Sequence, residues 1–201
     1  MSNTRVLKES IRGTEQIGIE DYFLSQRKLF LTEAVNAQTA SELIEQVMYL
    51  DAIDSTQEIT LFINSPGGEV TSGLALYDVL TSVNSPVTTV CIGCCASMGA
   101  ILFLAGSERK MLPHTTLMIH DPSYHNADID GLKPHEIQRR VDSLNKTRKE
   151  LVSIIAFVTG KNARTIEKIT REDSYFSADE ALDFGLSTET IYSLNRKETI
   201  I

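Results

Sequence analysis

Twice in the middle of the chain a short apolar run ends in a turn of small residues and passes into an apolar helical pattern. That repetition constrains the fold more than any other feature. Residues 59–63, ITLFI, followed by Asn64-Ser65-Pro66-Gly67-Gly68, read as a buried strand closed by a tight turn. Val70, Gly73, Leu74, Tyr77 and Leu80 to Val83 then recur at helical spacing until Asn84-Ser85-Pro86 breaks the pattern. VTTVCI at 87–92 repeats the strand, Gly93 to Ala96 the turn, and SMGAILFLAG a short helix closed at Gly106. TTLMIH at 115–120 makes a further strand. Strands alternating with helices imply a largely parallel sheet in an α/β domain. Active groups then belong at the C-terminal strand ends, where 64–68, 93–97 and 120 fall.

The 201 residues suffice for one sizeable core and are few for two, so a single domain is expected. The formal charge is −8 and the basic residues are scattered, which leaves no electrostatic footprint for nucleic acid. MSNTRVLKESIRG carries a charge every few residues and does not read as a secretory signal. No apolar run approaches the ~18 residues of a membrane span. Cys91, Cys94 and Cys95 lie too close together, with no distant partner, to form a disulfide framework. Reduced thiols in the cytoplasm are expected. C-x-x-C-C lacks a second ligand pair, and His125 and His135 with Asp121, Asp128 and Asp130 follow no ligand spacing, so no metal is expected.

From Pro134 to Val158 no glycine or further proline intervenes, and Ile137, Val141, Leu144, Leu151, Ile155 and Val158 follow a heptad-like spacing. A single helix of roughly 37 Å is indicated, its narrow stripe serving either its own core or another subunit. Arg148 interrupts that stripe, a costly place for a charge unless it is paired across a subunit contact. Thr39 to Leu50 reads as a second amphipathic helix. Ser177-Ala178-Asp179-Glu180 has the spacing of a capping box, with Gly185 to stop the helix it starts, so Asp173 sits on the loop before it.

Ser97, between Cys94-Cys95-Ala96 and Met98-Gly99-Ala100, stands where a strand turns into a helix. The position suits a nucleophile, since free N–H groups at the helix start can stabilise negative charge. It equally suits a packing residue or an N-cap. His120 ends an apolar strand and reads as a general base or as a structural histidine. Serine needs such a base and a third group to fix its tautomer; Asp173 is a candidate, though Arg171-Glu172-Asp173 also reads as plain surface. Gly67 and Gly68 offer unobstructed backbone N–H groups. The order Ser, His, Asp and the absence of glycine at Cys95 exclude an α/β-hydrolase elbow.

Taken together, INSPGGEVTSGLALYD, GCCASMGAILFLAG, LMIHDP and DSYFSADEALDFGL resemble successive blocks of the Clp protease proteolytic subunit, ClpP, with the likeness running from about Asp21 to Leu186. The resemblance implies repeated strand–helix units of the ClpP/crotonase type and a handle helix at about 134–158. It also implies a triad of Ser97, His120 and Asp173 with oxyanion donors at Gly67 and Met98. It further implies an N-terminal axial segment over 1–20, a peptidase domain over 21–190 and a tail over 191–201. Stacked heptameric rings (a 14-mer) would enclose the sites, and a hexameric AAA+ unfoldase would deliver unfolded protein substrates. No phosphate loop is present, so no nucleotide or other cofactor is expected on this chain.

The family's usual Gln-Pro and glycine pair after the histidine are replaced by Asp121-Pro122-Ser123-Tyr124, and its acid–arginine order before the aspartate is reversed in Arg171-Glu172. These departures leave room for a poorly active structural subunit in a ring mixed with a paralogue. A crotonase-like acyl-CoA enzyme shares the repeat but has no use for the serine–histidine pair.

Overall fold

The computed structural model describes residues 4–10, 13–124 and 131–194. Along the chain run β1 (Arg5–Ser10), β2 (Gly13–Gly18), α1 (Ile19–Ser25), β3 (Lys28–Leu31), α2 (Ala37–Ile53), β4 (Ile59–Ser65), α3 (Val70–Ser82) and β5 (Val87–Ala96). They continue with α4 (Met98–Phe103), β6 (Glu108–Met111), β7 (Thr116–Ile119), α5 (Pro134–Thr159), α6 (Ala163–Thr170), β8 (Ser174–Ser177), α7 (Ala178–Phe184) and β9 (Glu189–Thr190). Strands β1 and β2 form an antiparallel hairpin of their own. The others form one sheet in the order β3-β4-β5-β6-β9, with β7 beside β5 and β8 beside β7. All its pairings are parallel except β7 with β8.

The apolar runs of β4 and β5 are the centre of this sheet because both faces of a parallel strand are covered by crossover elements. Leu29 and Leu31 pair in register with Leu61 and Ile63, and all four are buried in one core with Leu43, Val47 and Leu50 of α2 and Leu76 and Leu80 of α3. On the other face Phe30 stacks on Phe62 at 5.1 Å, and Phe23 of α1 packs edge-on against Phe30. Asn36 caps α2 by accepting from the N–H groups of Gln38 and Thr39. Ser177 and Glu180 make the expected capping box on α7, which Gly185 ends in a left-handed conformation.

Strand β5 does not end at Ile92. Gly93 to Ala96, expected as a turn, continue the strand, because Cys94, Cys95 and Ala96 find a new partner in Thr116, Leu117 and Met118. The first half of β5 pairs β6, from Thr88 with Glu108 to Cys91 with Met111, so the strand changes neighbour along one edge. Asn64 holds the change in place: its Oδ1 accepts the Cys94 N–H at 2.9 Å and occupies the space that a side chain on Gly93 would need.

The stripe of helix α5 is divided between core and surface. Leu151, Val152 and Ile155 are buried in the core, whereas Ile137 and Val141 are 39% and 45% exposed. The N-terminal half therefore stands clear of the domain with apolar side chains on it.

At the edge of the sheet remote from the strand C-termini, the Arg27 guanidinium donates to the carbonyl oxygens of Leu50 (2.9 Å), Gln57 (3.0 Å) and Glu58 (3.0 Å) and to Ser85 Oγ (3.1 Å). Ser85 in turn donates its N–H and hydroxyl to Asp51, which holds that carboxyl below its ordinary range. One side chain thus joins the end of α2 to the turns that start β4 and β5. Arg27→Met keeps the stem and removes these charged hydrogen bonds, so it should lower unfolding free energy by about 2 kcal/mol in denaturant titration. A change below about 0.5 kcal/mol would show the clamp to be ornamental.

Candidate active site

Two strand registers bring three separated residues together. Ala96 pairs with Met118, and the chain beyond it is held by a hydrogen bond from the Ser97 N–H to the Met118 carbonyl at 2.9 Å, so Ser97 lies beside the end of β7. Ile119 pairs antiparallel with Ser174, so the next residue outward on β7, His120, faces the residue before β8, Asp173. The result is a line of three side chains. His120 Nε2 is 2.8 Å from Ser97 Oγ, and His120 Nδ1 is 3.3 Å from Asp173 Oδ1. The imidazole is 23% exposed and the carboxylate 58%.

Ser97 occupies the N-cap position of α4 and does not cap it. Its backbone has φ 53° and ψ −121°, an unusual conformation for a residue with a side chain, and its hydroxyl makes no bond to the helix. Of the roles open to a small-flanked serine, capping is thereby excluded, and the hydroxyl is delivered to the histidine instead. Strain of this kind costs on the order of 1–3 kcal/mol and persists where the surroundings enforce it. Here they are the β5–β7 ladder before Ser97 and the buried helix Met98–Phe103 after it.

The turn after β4 forms the facing wall. Gly67 is so close that a Cβ on it would lie 2.6 Å from the Ala96 carbonyl oxygen, 2.7 Å from Ser97 Cβ and 2.8 Å from the Met98 nitrogen. Its own N–H donates to Ser65 Oγ at 3.2 Å, and the Ser65 hydroxyl donates to the Glu33 carbonyl at 2.6 Å. Gly68 forms a parallel bridge with Val35, made by the Gly67 carbonyl accepting from Val35 and the Glu69 N–H donating back to it. In that pattern the N–H of Gly68 itself points away from Val35, to the side where β5 lies. Among the described residues neither it nor the Met98 N–H, the first of α4 and without an intrahelical acceptor, has a hydrogen-bond acceptor.

Below Ser97 and His120 a cavity opens between Val70, Met98, Ile101 and Ile119 on one side and Leu151, Val152 and Ile155 of α5 on the other. Asp121, Arg148 and Thr170 add polar groups to its lining. Asp121 donates its N–H to the Thr170 carbonyl at 2.6 Å and accepts the Thr170 hydroxyl at 2.7 Å, and its second oxygen lies 3.9 Å from Arg148 Nη1. Arg148 thus has a counter-charge within the chain, at the outer limit of ion-pair distance.

The cysteines take no part. Cys91 and Cys95 are buried, their thiols directed at the Thr116 and Ile63 carbonyls. Burial pushes the Cys95 thiol well up and the Cys94 thiol up, while a hydrogen bond with Cys95 lowers Cys91. Among the described residues no three His, Cys, Asp or Glu side chains form a metal-holding group, and no helix is long and apolar enough to cross a membrane. His125, Asp128 and Asp130 lie outside the described residues.

Reading the sequence alone missed Ser65, Asn64 and Thr170, whose roles depend on partners 30 or more residues away: Glu33, Cys94 and Asp121. For Arg148 the signal was present, a charge in an apolar stripe, but its partner could not be read from spacing.

An α/β domain with a serine on a strained strand-to-helix turn, a histidine at bonding distance and a carboxylate behind it has the layout of a serine hydrolase. The family model for Clp protease matches residues 11–193, and the chain belongs to that family. Its architecture is the ClpP fold, and membership makes it a ClpP-like peptidase.

The contact at Gly67 is testable without any substrate. Gly67→Ala introduces a Cβ against backbone at φ 89° and should cost about 2 kcal/mol or more of stability. An unfolding midpoint equal to wild type would mean that the wall facing Ser97 is looser than described.

Proposed function

We propose that this chain is a serine endopeptidase subunit of an ATP-dependent Clp protease, cleaving unfolded proteins and peptides through an acyl-enzyme on Ser97. The observation that carries the reading is the 2.8 Å contact of Ser97 Oγ with His120 Nε2, made by a serine whose backbone is strained toward the histidine and away from helix capping.

In the proposed mechanism His120, neutral and protonated on Nδ1 toward Asp173, takes the hydroxyl proton as Ser97 Oγ bonds to the scissile carbonyl carbon. The carbonyl oxygen becomes an oxyanion. Of the donors expected for it, the Met98 N–H has no acceptor among the described residues, whereas the Gly67 N–H is engaged by Ser65 Oγ, so we assign the second bond to Gly68. Histidinium then protonates the leaving amine as the C–N bond breaks, leaving an ester on Ser97. Water, deprotonated by the same imidazole, adds to the ester, and loss of Ser97 Oγ with return of its proton frees the acid product. Asp173 stabilises the imidazolium in both halves and fixes its tautomer.

In this reading the hairpin within residues 1–20 is the axial segment, 21–190 the peptidase domain and 191–201 the tail. The exposed apolar side chains of Ile137 and Val141 support the use of α5 as a handle between stacked seven-membered rings, homomeric or shared with a paralogue. The exposure of Arg171 and Glu172 next to Asp173 supports a part for them in the ring–ring contact. A cytoplasmic AAA+ unfoldase would feed the chamber.

Ser97→Ala should leave native mass unchanged and reduce peptide hydrolysis by roughly 10⁴-fold or more, since loss of the nucleophile removes the covalent route. Unaltered turnover in that variant ends the peptidase reading.

A further inference from the structure

The cavity beside Ser97 limits what can be held next to the reacting bond. Ser97, Met98 and His120 belong to its lining, so it is the space open to the side chain of the residue whose carbonyl meets Ser97 Oγ. Its enclosed volume is about 20 Å³, room for one water-sized group. A methyl group fits. A leucine or phenylalanine side chain does not, unless the walls move apart.

The walls are held where they are. Ile101, Ile119, Val152 and Ile155 are 3%, 1%, 4% and 2% exposed, and all four are members of the domain core as well as of the cavity wall. Met98 is 1% exposed and lodged over Gly73, where a Cβ would come within 2.4 Å of its Cε. Forcing further carbon atoms into a space bounded by close-packed side chains drives those neighbours off their rotamers and is unfavourable. The polar groups of the lining offer a longer side chain no compensation. Thr170 donates its hydroxyl to Asp121, and Arg148 lies 3.9 Å from the same carboxylate, so opposite charges stand together and favour neither a cation nor an anion. Glycine would enter but leave the apolar walls without a partner, whereas a methyl group placed there is removed from water.

We propose that this cavity is a subsite for a methyl group, so that the chain cleaves preferentially after alanine, with Val152 and Ile155 of α5 excluding longer side chains. The proposal rests on the serine peptidase reading of Ser97 and names the residue which that site selects.

Three peptidyl diphenyl phosphonates that differ only in the residue at the phosphorus, alanine, leucine or phenylalanine, test both levels on the full-length assembled chain. In each, Ser97 Oγ bonds to phosphorus and phenol departs with the serine proton, and intact mass follows the adduct. The alanine reagent should modify Ser97 at least about tenfold faster than either other reagent. Val152→Ala trims the wall and should narrow the advantage of alanine over leucine at least about threefold. Ile155→Val, a smaller cut in the same wall, should narrow it in the same direction and serves if Val152→Ala does not assemble. Leucine or phenylalanine reacting as fast as alanine with the wild-type chain overturns the subsite while leaving Ser97 a nucleophile. An alanine advantage unchanged in both wall variants overturns it too, because the cavity would then not be its source. No adduct on Ser97 from any of the three overturns the peptidase reading and the subsite with it.

Discussion

The site depends on the register of β7 between β5 and β8. A parallel step sets Ala96 beside Met118, and an antiparallel step sets Ile119 beside Ser174. Every distance in the Ser97, His120, Asp173 line follows from those two pairings. Because side chains alternate along a strand, a slip of one residue in either ladder would turn His120 to the opposite face and dissolve the arrangement. The register is pinned from outside the site. Asn64 fixes the point where β5 leaves β6 for β7, and the paired Asp121 and Thr170 tie the strand end bearing His120 to the helix before Asp173.

The same elements join the Ser97 turn to the cavity beside it. Helix α4 starts at the Ser97 turn and lines the cavity with Met98 and Ile101, and α5 closes it with Leu151, Val152, Ile155 and Arg148. The helix that stands clear of the domain at its N-terminal half therefore forms a pocket wall with its C-terminal half. A shift of α5 in an assembly would move Arg148 relative to Asp121, and with it the strand end that carries His120.

How much of this was legible in the sequence varies with the range of the interaction. The strands at 59–63 and 115–120, the helix at 134–158 and the capping box at Ser177 are local patterns, and each appears where its period or cap residues placed it. Gly93 to Ala96 resemble a turn by composition, yet they extend a strand, because the deciding factor is a partner some twenty residues onward. Strands β6, β8 and β9 are four residues or fewer and carry no period to read. For the site, the type and order of Ser97, His120 and Asp173 were visible, but only geometry separates a nucleophile from an N-cap. Gly67 was visible as a small residue in a turn; that Ser65 engages its N–H is a matter of side-chain contact. Arg148 was legible as an anomaly and illegible as a partner of Asp121.

In the proposed mechanism the three side chains act as one unit. A double-mutant cycle measures this directly: peptide turnover in His120→Ala, Asp173→Asn and the combination. If Asp173 acts only by holding and stabilising the imidazole, the double variant should be no slower than His120→Ala alone, since effects within a catalytic unit do not multiply. A double variant slower by the product of the two single losses would contradict the account, and would mean that the carboxylate acts on the reaction by a route that does not pass through His120.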